Sequence, residues 1–152
     1  MQLFILRHGK AEPQLGNDAE RALTESGRLQ VAQVCEQRAE ELSAVRALWA
    51  SPFVRTQQTA GIVSTHLGLP VLTEPLLIGD TNPQEILDKL QEQARETFPI
   101  LLVSHQPLVG KLLNGLCGSG DQYPFGTASL ACISAEVWAY GCAELDWLQH
   151  AG

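Results

Sequence analysis

Apolar residues in this chain alternate between short unbroken runs and stripes at helical spacing. Leu3-Phe4-Ile5-Leu6 is an uninterrupted run that stops at Arg7, as a strand buried on both faces requires. Lys10 to Arg21 is polar and holds Pro13, Gly16 and Asn17, so it reads as a loop. Thr24 is placed to cap a helix whose apolar positions Leu29, Ala32, Cys35, Ala39 and Leu42 recur at helical spacing. Ala47 to Ala50 forms a second short run leading into Ser51-Pro52. Arg55 to Leu67 then reads as a helix ended by Gly68.

Val71-Leu72 supplies a short third strand. Asn82-Pro83-Gln84-Glu85 carries a cap, Pro at the first helical position and Glu three residues after the cap, and Leu87, Leu90 and Ala94 supply the stripe that follows. Ile100-Leu101-Leu102-Val103 is the strongest strand of the chain and ends at Ser104-His105. Pro107 opens a helix through Leu116, closed by Gly118. Two β-like runs, Leu130 to Trp138 and Cys142 to Leu148, flank Ala139-Tyr140-Gly141 and suggest a hairpin. Strands alternating with helices predict an α/β fold of three layers, α/β/α, around a mainly parallel central sheet.

Ligands of such folds bind outside the carboxyl ends of the strands. Three of these ends carry reactive residues: Arg7-His8-Gly9, Ser51 to Arg55, and Ser104-His105. Two arginines and two histidines meeting at one sheet edge suit a tetrahedral dianion, because guanidinium forks match its oxygens and keep their charge. A neutral histidine can attack phosphorus, and a protonated one can stabilise its oxygens. Gly9 permits close backbone approach, Ser51 opens the second strand end, and Arg21 can lean into the same pocket. Each residue alone has a plainer reading as a carbonyl cap or an exposed charge; their order along the chain favours a site.

Charge narrows the partners. Ten Lys and Arg against seventeen Asp and Glu leave a formal net charge of -7, so neither nucleic acid nor anionic membrane is an expected partner. The histidines at 8, 66, 105 and 150 are scattered without a carboxylate cluster, so neither a metal nor another cofactor is expected, and His66 and His150 read as surface residues. Trp49, Trp138 and Trp147 lie in strand-like runs and read as core. The four cysteines, Cys35, Cys117, Cys132 and Cys142, lack CxxC spacing and read as buried thiols of a reducing cytoplasm. No signal peptide or membrane-span pattern stands out. Residues 1–152 are expected to form one domain, monomeric and cytoplasmic.

The residues resemble a known family at this point. Leu6-Arg7-His8-Gly9 after an N-terminal strand resembles the "RHG" signature of the histidine phosphatase (phosphoglycerate mutase-like) superfamily. Leu23-Thr24 with Gly27 is similar to its "LT..G" helix start, and Ser51 to Ala60 matches "SP..R..QTA". Val103-Ser104-His105 resembles its second-histidine strand end. The resemblance implies His8 as the nucleophile that becomes phosphohistidine, with Arg7, Arg55 and His105 as the phosphate pocket.

Larger members carry a carboxylic acid after the third strand to protonate a leaving alkoxide. Pro75 to Asp80 offers no such glutamate; Asp80, Glu12 and Asp18 are the substitutes, each more simply a solvated loop carboxylate. Short connections also leave no lid. This minimal pattern resembles the SixA-type protein phosphohistidine phosphatases, which implies a phosphorylated histidine-containing partner, either a histidine phosphotransfer domain or a phosphotransferase-system protein. A small phosphomonoester substrate and a non-catalytic phosphate-binding adaptor are the alternatives.

Overall fold

A computed structural model describes residues 1–118 and 123–151; residues 119–122 and 152 of the expected domain lie outside the described residues. Six strands form one sheet: β1 (Gln2–Arg7), β2 (Ala47–Ala50), β3 (Val71–Thr73), β4 (Ile100–Ser104), β5 (Leu130–Ala135) and β6 (Ala143–Gln149), in the order β3-β2-β4-β1-β5-β6. The first four run parallel, and the β5/β6 hairpin adds two antiparallel strands at one edge.

Side chains alternate across each strand, so an unbroken apolar run serves two cores. Leu3 and Ile5 pack on one face with α4 (Pro83–Gln91) and α5 (Leu108–Cys117), while Phe4 and Leu6 pack on the other with α1 (Glu25–Gln37) and α3 (Val54–Leu67). A four-residue α2 (Ala39–Leu42) follows α1. The three-layer α/β/α expectation holds. Among the described residues no helix is long and apolar enough to cross a membrane.

Local signals hold where capping chemistry is explicit. The Thr24 hydroxyl accepts from Gly27 N, the Asn82 side chain accepts from Gln84 N, and Gly68 and Gly118 close α3 and α5 in left-handed conformation. The α1 stripe needs correction. Leu29 is 67% exposed and Ala39 is exposed, because the buried face carries Gly27, Val31, Val34 and Cys35, with Leu29 about 200° around the axis from Val31. Ala94 is likewise exposed, since α4 ends at Gln91.

Strand β5 stops at Ala135, so Trp138 belongs to the hairpin connection, where it stacks on Phe98 at 5.4 Å between ring centroids. Trp147 is only half-buried, with the Arg38 guanidinium 3.9 Å from its ring centroid. The cysteines are free thiols, yet only Cys35 and Cys132 are buried; Cys142 lies before β6 and is exposed. The polar stretch 10–21 is less irregular than expected: Ala11 bridges Leu23, and Asp18–Glu20 form a 3₁₀ turn capped by Asn17.

Register places the reactive strand ends side by side. Ala50 pairs with Val103, and Arg7 with Ser104, so Ser51, His105 and His8 emerge at adjacent positions on one sheet edge. Close contact between the turn after β1 and α1 holds that edge. A Cβ on Gly9 would lie 2.6 Å from Gly27 O, and one on Gly27 would lie 2.1 Å from Lys10 O. Gly27→Ala is therefore expected to destabilise by about 1–3 kcal/mol through overpacking. Gly61→Ala, on exposed helix with nothing within 4 Å, should stabilise by about 1 kcal/mol. Denaturant melts check the pair, and equal shifts would contradict the close crossing.

Candidate active site

His8 follows β1 directly, and its backbone N–H donates to Ser104 O at 3.2 Å. Its ring Nδ1 lies 2.7 Å from Gly9 O. A carbonyl oxygen only accepts, so Nδ1 carries the proton and the lone pair sits on Nε2. Arg55 Nε–H points at that Nε2 from 3.4 Å. Gly9 itself is fixed by donating its N–H to Thr59 Oγ1 at 3.1 Å. The QTA segment thus holds the turn after β1 from α3: Gln58 Oε1 also accepts from Leu23 N at 2.8 Å.

Around His8 the remaining residues close a ring. Arg7 donates through Nη1 to Phe125 O at 3.0 Å, while its buried Nε has no partner among the described residues. The His105 ring lies 5.3 Å from that of His8 and 4.9 Å from that of Phe53 between centroids, tilted 64° to the latter. The His105 Nε2 is 2.6 Å from Ser51 Oγ, and its Nδ1 is buried without a partner among the described residues. A cleft of about 280 Å³ opens above, lined by Asp18, Phe53, Arg55, Asp80, His105 and Gln106 among others.

Residues 3–79 match the model of the histidine phosphatase superfamily (branch 1). The chain belongs to this superfamily. It is 33% identical over 145 residues to the Escherichia coli phosphohistidine phosphatase SixA, covering 90% of this chain and 86% of that protein. It is 30% identical over 141 residues to the Haemophilus influenzae SixA homolog, covering 86% of each. The solved structure of the protein histidine phosphatase SixA complexed with tungstate superposes with a TM-score of 0.89 at 28% identity, over 99% of this chain and 97% of that one.

Within this histidine phosphatase, sequence-derived candidates take distinct positions. His8, Arg7, Arg55 and His105 converge. Gly9 packs against α1 and fixes the His8 tautomer through its carbonyl. Ser51 is fully buried and bonds His105. Arg21 stands one step back: its Nη1 pairs with Asp18 Oδ1 at 3.0 Å and its Nε donates to Glu12 O at 2.7 Å.

Asp18, expected as a solvated loop carboxylate, instead joins both arginines. Arg55 donates through Nη2 to Asp18 Oδ2 at 3.1 Å and through Nη1 to Asp18 O at 2.8 Å. Residue type gave no hint of this, because only the 3₁₀ turn brings Asp18 to Arg55. The Arg21 hydrogen bond, followed by Arg55, holds its carboxyl below the ordinary carboxylate range, so Asp18 is an anion rather than a proton donor. Glu12 is exposed on the loop, and Asp80 is exposed at the cleft rim. Glu74, the buried carboxylate after β3, accepts from Leu76 N at 3.0 Å and pairs with Lys89 at 3.4 Å.

Burial dominates the protonation of the pair. It pushes His8 from 6.5 down to about 4, with Arg55, Arg7 and Arg21 adding to it against the bond to Gly9 O. His105 falls to about 3 through burial, then His8 and Arg55. Burial, then Arg55, also lowers Arg7, which remains a cation. At neutral pH the site therefore holds two guanidinium charges and two neutral imidazoles.

Two expectations follow. Asp18→Asn removes the charged partner of Arg55 Nη2 while Nη1 keeps the backbone carbonyl, and a misplaced fork is expected to cost about 10- to 100-fold in kcat, read by steady-state kinetics. An unchanged rate would show that Arg55 needs no tether. The second concerns acid. The unfolded chain protonates its histidines from 6.5 downward, whereas folded His8 waits until about 4 and His105 until about 3. Their contribution is complete above 6.5 and declines as pH falls through that window, by about 1.4 kcal/mol per unit and histidine. Denaturant melts through the window should flatten in the His8→Gln/His105→Gln variant; an unaltered slope would locate the effect elsewhere.

Proposed function

We propose that this protein is a metal-independent phosphohistidine phosphatase that removes phosphate from a histidine on a partner protein. One observation carries the reading: the phosphate pocket is complete, while Asp18 and Glu74 are committed to cations and Asp80, the other carboxylate lining the cleft, lies exposed at its rim. Ester hydrolysis expels an alkoxide, which needs a proton in the transition state. A phosphohistidine protonated on its other ring nitrogen expels neutral imidazole and needs none.

Under this reading the His8 Nε2 lone pair attacks phosphorus, and the bond from phosphorus to the substrate nitrogen breaks with its electron pair leaving on that nitrogen. Arg7 and Arg55 hold the equatorial oxygens. Because Asp18 occupies the Nη1 and Nη2 groups of Arg55, its Nε side is the edge turned to the phosphoryl group. Phospho-His8 keeps Nδ1–H on Gly9 O, and water then releases phosphate.

The names of the two curated relatives support a phosphohistidine substrate, and tungstate, the tetrahedral oxyanion in the related structure, supports an oxyanion pocket. The cleft is small and open, as a side chain presented by another protein requires. Four free thiols, Cys142 exposed among them, support a reducing cytoplasm as its location.

A phosphorylated histidine phosphotransfer domain should lose its label at least ~100-fold faster with the protein than without it, and His8→Ala should abolish the acceleration. Alkyl phosphates should turn over far more slowly than aryl phosphates. Efficient alkyl phosphate hydrolysis, lost in Asp80→Asn, would reverse the assignment in favour of a phosphomonoesterase.

A further inference from the structure

Ser51 and Thr56 form a buried hydroxyl pair whose protons can be counted. Ser51 Oγ lies 2.7 Å from Thr56 Oγ1 and 2.6 Å from His105 Nε2, and it accepts from Phe53 N at 3.3 Å. Thr56 Oγ1 also lies 3.0 Å from Ser51 O and 2.9 Å from Phe53 O. Both are carbonyls that can only accept, so without a proton between them these contacts would set lone pair against lone pair. The Thr56 proton therefore points to the carbonyls, and Thr56 Oγ1 accepts from Ser51. That uses the single Ser51 proton, and His105 Nε2 must be a donor. Neutral His105 then keeps its lone pair on Nδ1, the opposite tautomer to His8. Nδ1 is the ring nitrogen left buried and, among the described residues, without a partner, in a residue that lines the cleft.

We infer that His105 Nδ1 is the base that takes a proton from the water hydrolysing phospho-His8, and that Ser51 and Thr56 are positioning residues that hold the tautomer able to do so. The inference rests on the phosphohistidine intermediate proposed above. Water oxygen bonds to phosphorus as the phosphorus–Nε2 bond breaks, and that electron pair returns to His8, leaving it neutral with Nδ1–H retained. One water proton passes to His105 Nδ1. The products are hydrogen phosphate dianion and an imidazolium at His105, which returns its proton to phosphate or to solvent.

The surroundings time this step. His105 is faced by His8 and Arg7 from the end of β1, by Phe53 and Arg55 from the start of α3, and by Asp18 from the 3₁₀ turn. Burial and the cations keep it neutral in the resting site, with Asp18 opposing them. A phosphoryl dianion on His8 offsets Arg7 and Arg55, so His105 accepts a proton readily only while there is a phosphoenzyme to hydrolyse. The first half-reaction needs no such base, because His8 attacks as a neutral imidazole.

Radiolabelled phosphoramidate, a small phosphorus–nitrogen donor, separates the two halves. Thr56→Val frees the Ser51 proton to turn toward His105; phospho-His8 should form within about threefold of the wild-type rate yet decay at least ~10-fold more slowly. Thr56→Ser, which keeps the hydroxyl, should restore decay. Nitrogen NMR of intact wild-type protein should find His105 protonated on Nε2 and bare on Nδ1, a readout independent of how any variant folds. Equal effects on formation and decay, or a His105 protonated on Nδ1, would overturn the relay. Absence of any label on wild-type His8 would remove the intermediate itself, and the relay with it.

Discussion

The hydrogen bond from His8 Nδ1–H to Gly9 O is the contact on which the site depends. It restricts a side chain with two accessible tautomers to the one with its lone pair on Nε2, facing Arg55. The Gly9 carbonyl can hold that position because its own N–H is tied to Thr59 and its α-carbon lies against Gly27 O, where no side chain fits. Parallel pairing of β1 with β4 then sets His105 beside it. His8, its supporting carbonyl and the second histidine are thus held by backbone pairing together with the buried Thr59 and Ser51 hydroxyls, which is the preorganisation that phosphoryl transfer demands.

A second constraint is electrostatic. The chain has a net charge of -7 yet must attract a dianion. Arg7 and Arg55 supply the local field, and their mutual repulsion in a buried site needs a counterweight when no phosphate is bound. Asp18 provides it, paired with Arg55 on one side and Arg21 on the other. The same pairing limits which edge of Arg55 is presented. Loop 10–21 therefore forms part of the site, although its composition reads as simple connecting chain.

Much of this architecture was legible from residue types. The unbroken run Leu3 to Leu6, the caps Thr24 and Asn82, and the strand-end placement of His8, Ser51 and His105 all came from rules local in sequence. Failures arose where tertiary contact decides. Leu29 has helical spacing but lies on the wrong side of α1, because Gly27 must face Lys10. Asp18 looked solvated because Arg55, one of its two partners, lies in another element. The roles of Ser51 and Thr59, one bonding His105 and the other holding Gly9, depend on distances that spacing does not encode.

The central claim is that the lone pair of His8 on Nε2, set by Gly9, receives the phosphoryl group. The most direct measurement is the position of phosphate on the trapped enzyme, by fragmentation mass spectrometry to locate the residue and phosphorus–nitrogen NMR to locate the ring atom. The account predicts phosphate on Nε2 of His8. Phosphate on Nδ1 of His8, or on His105, would contradict it.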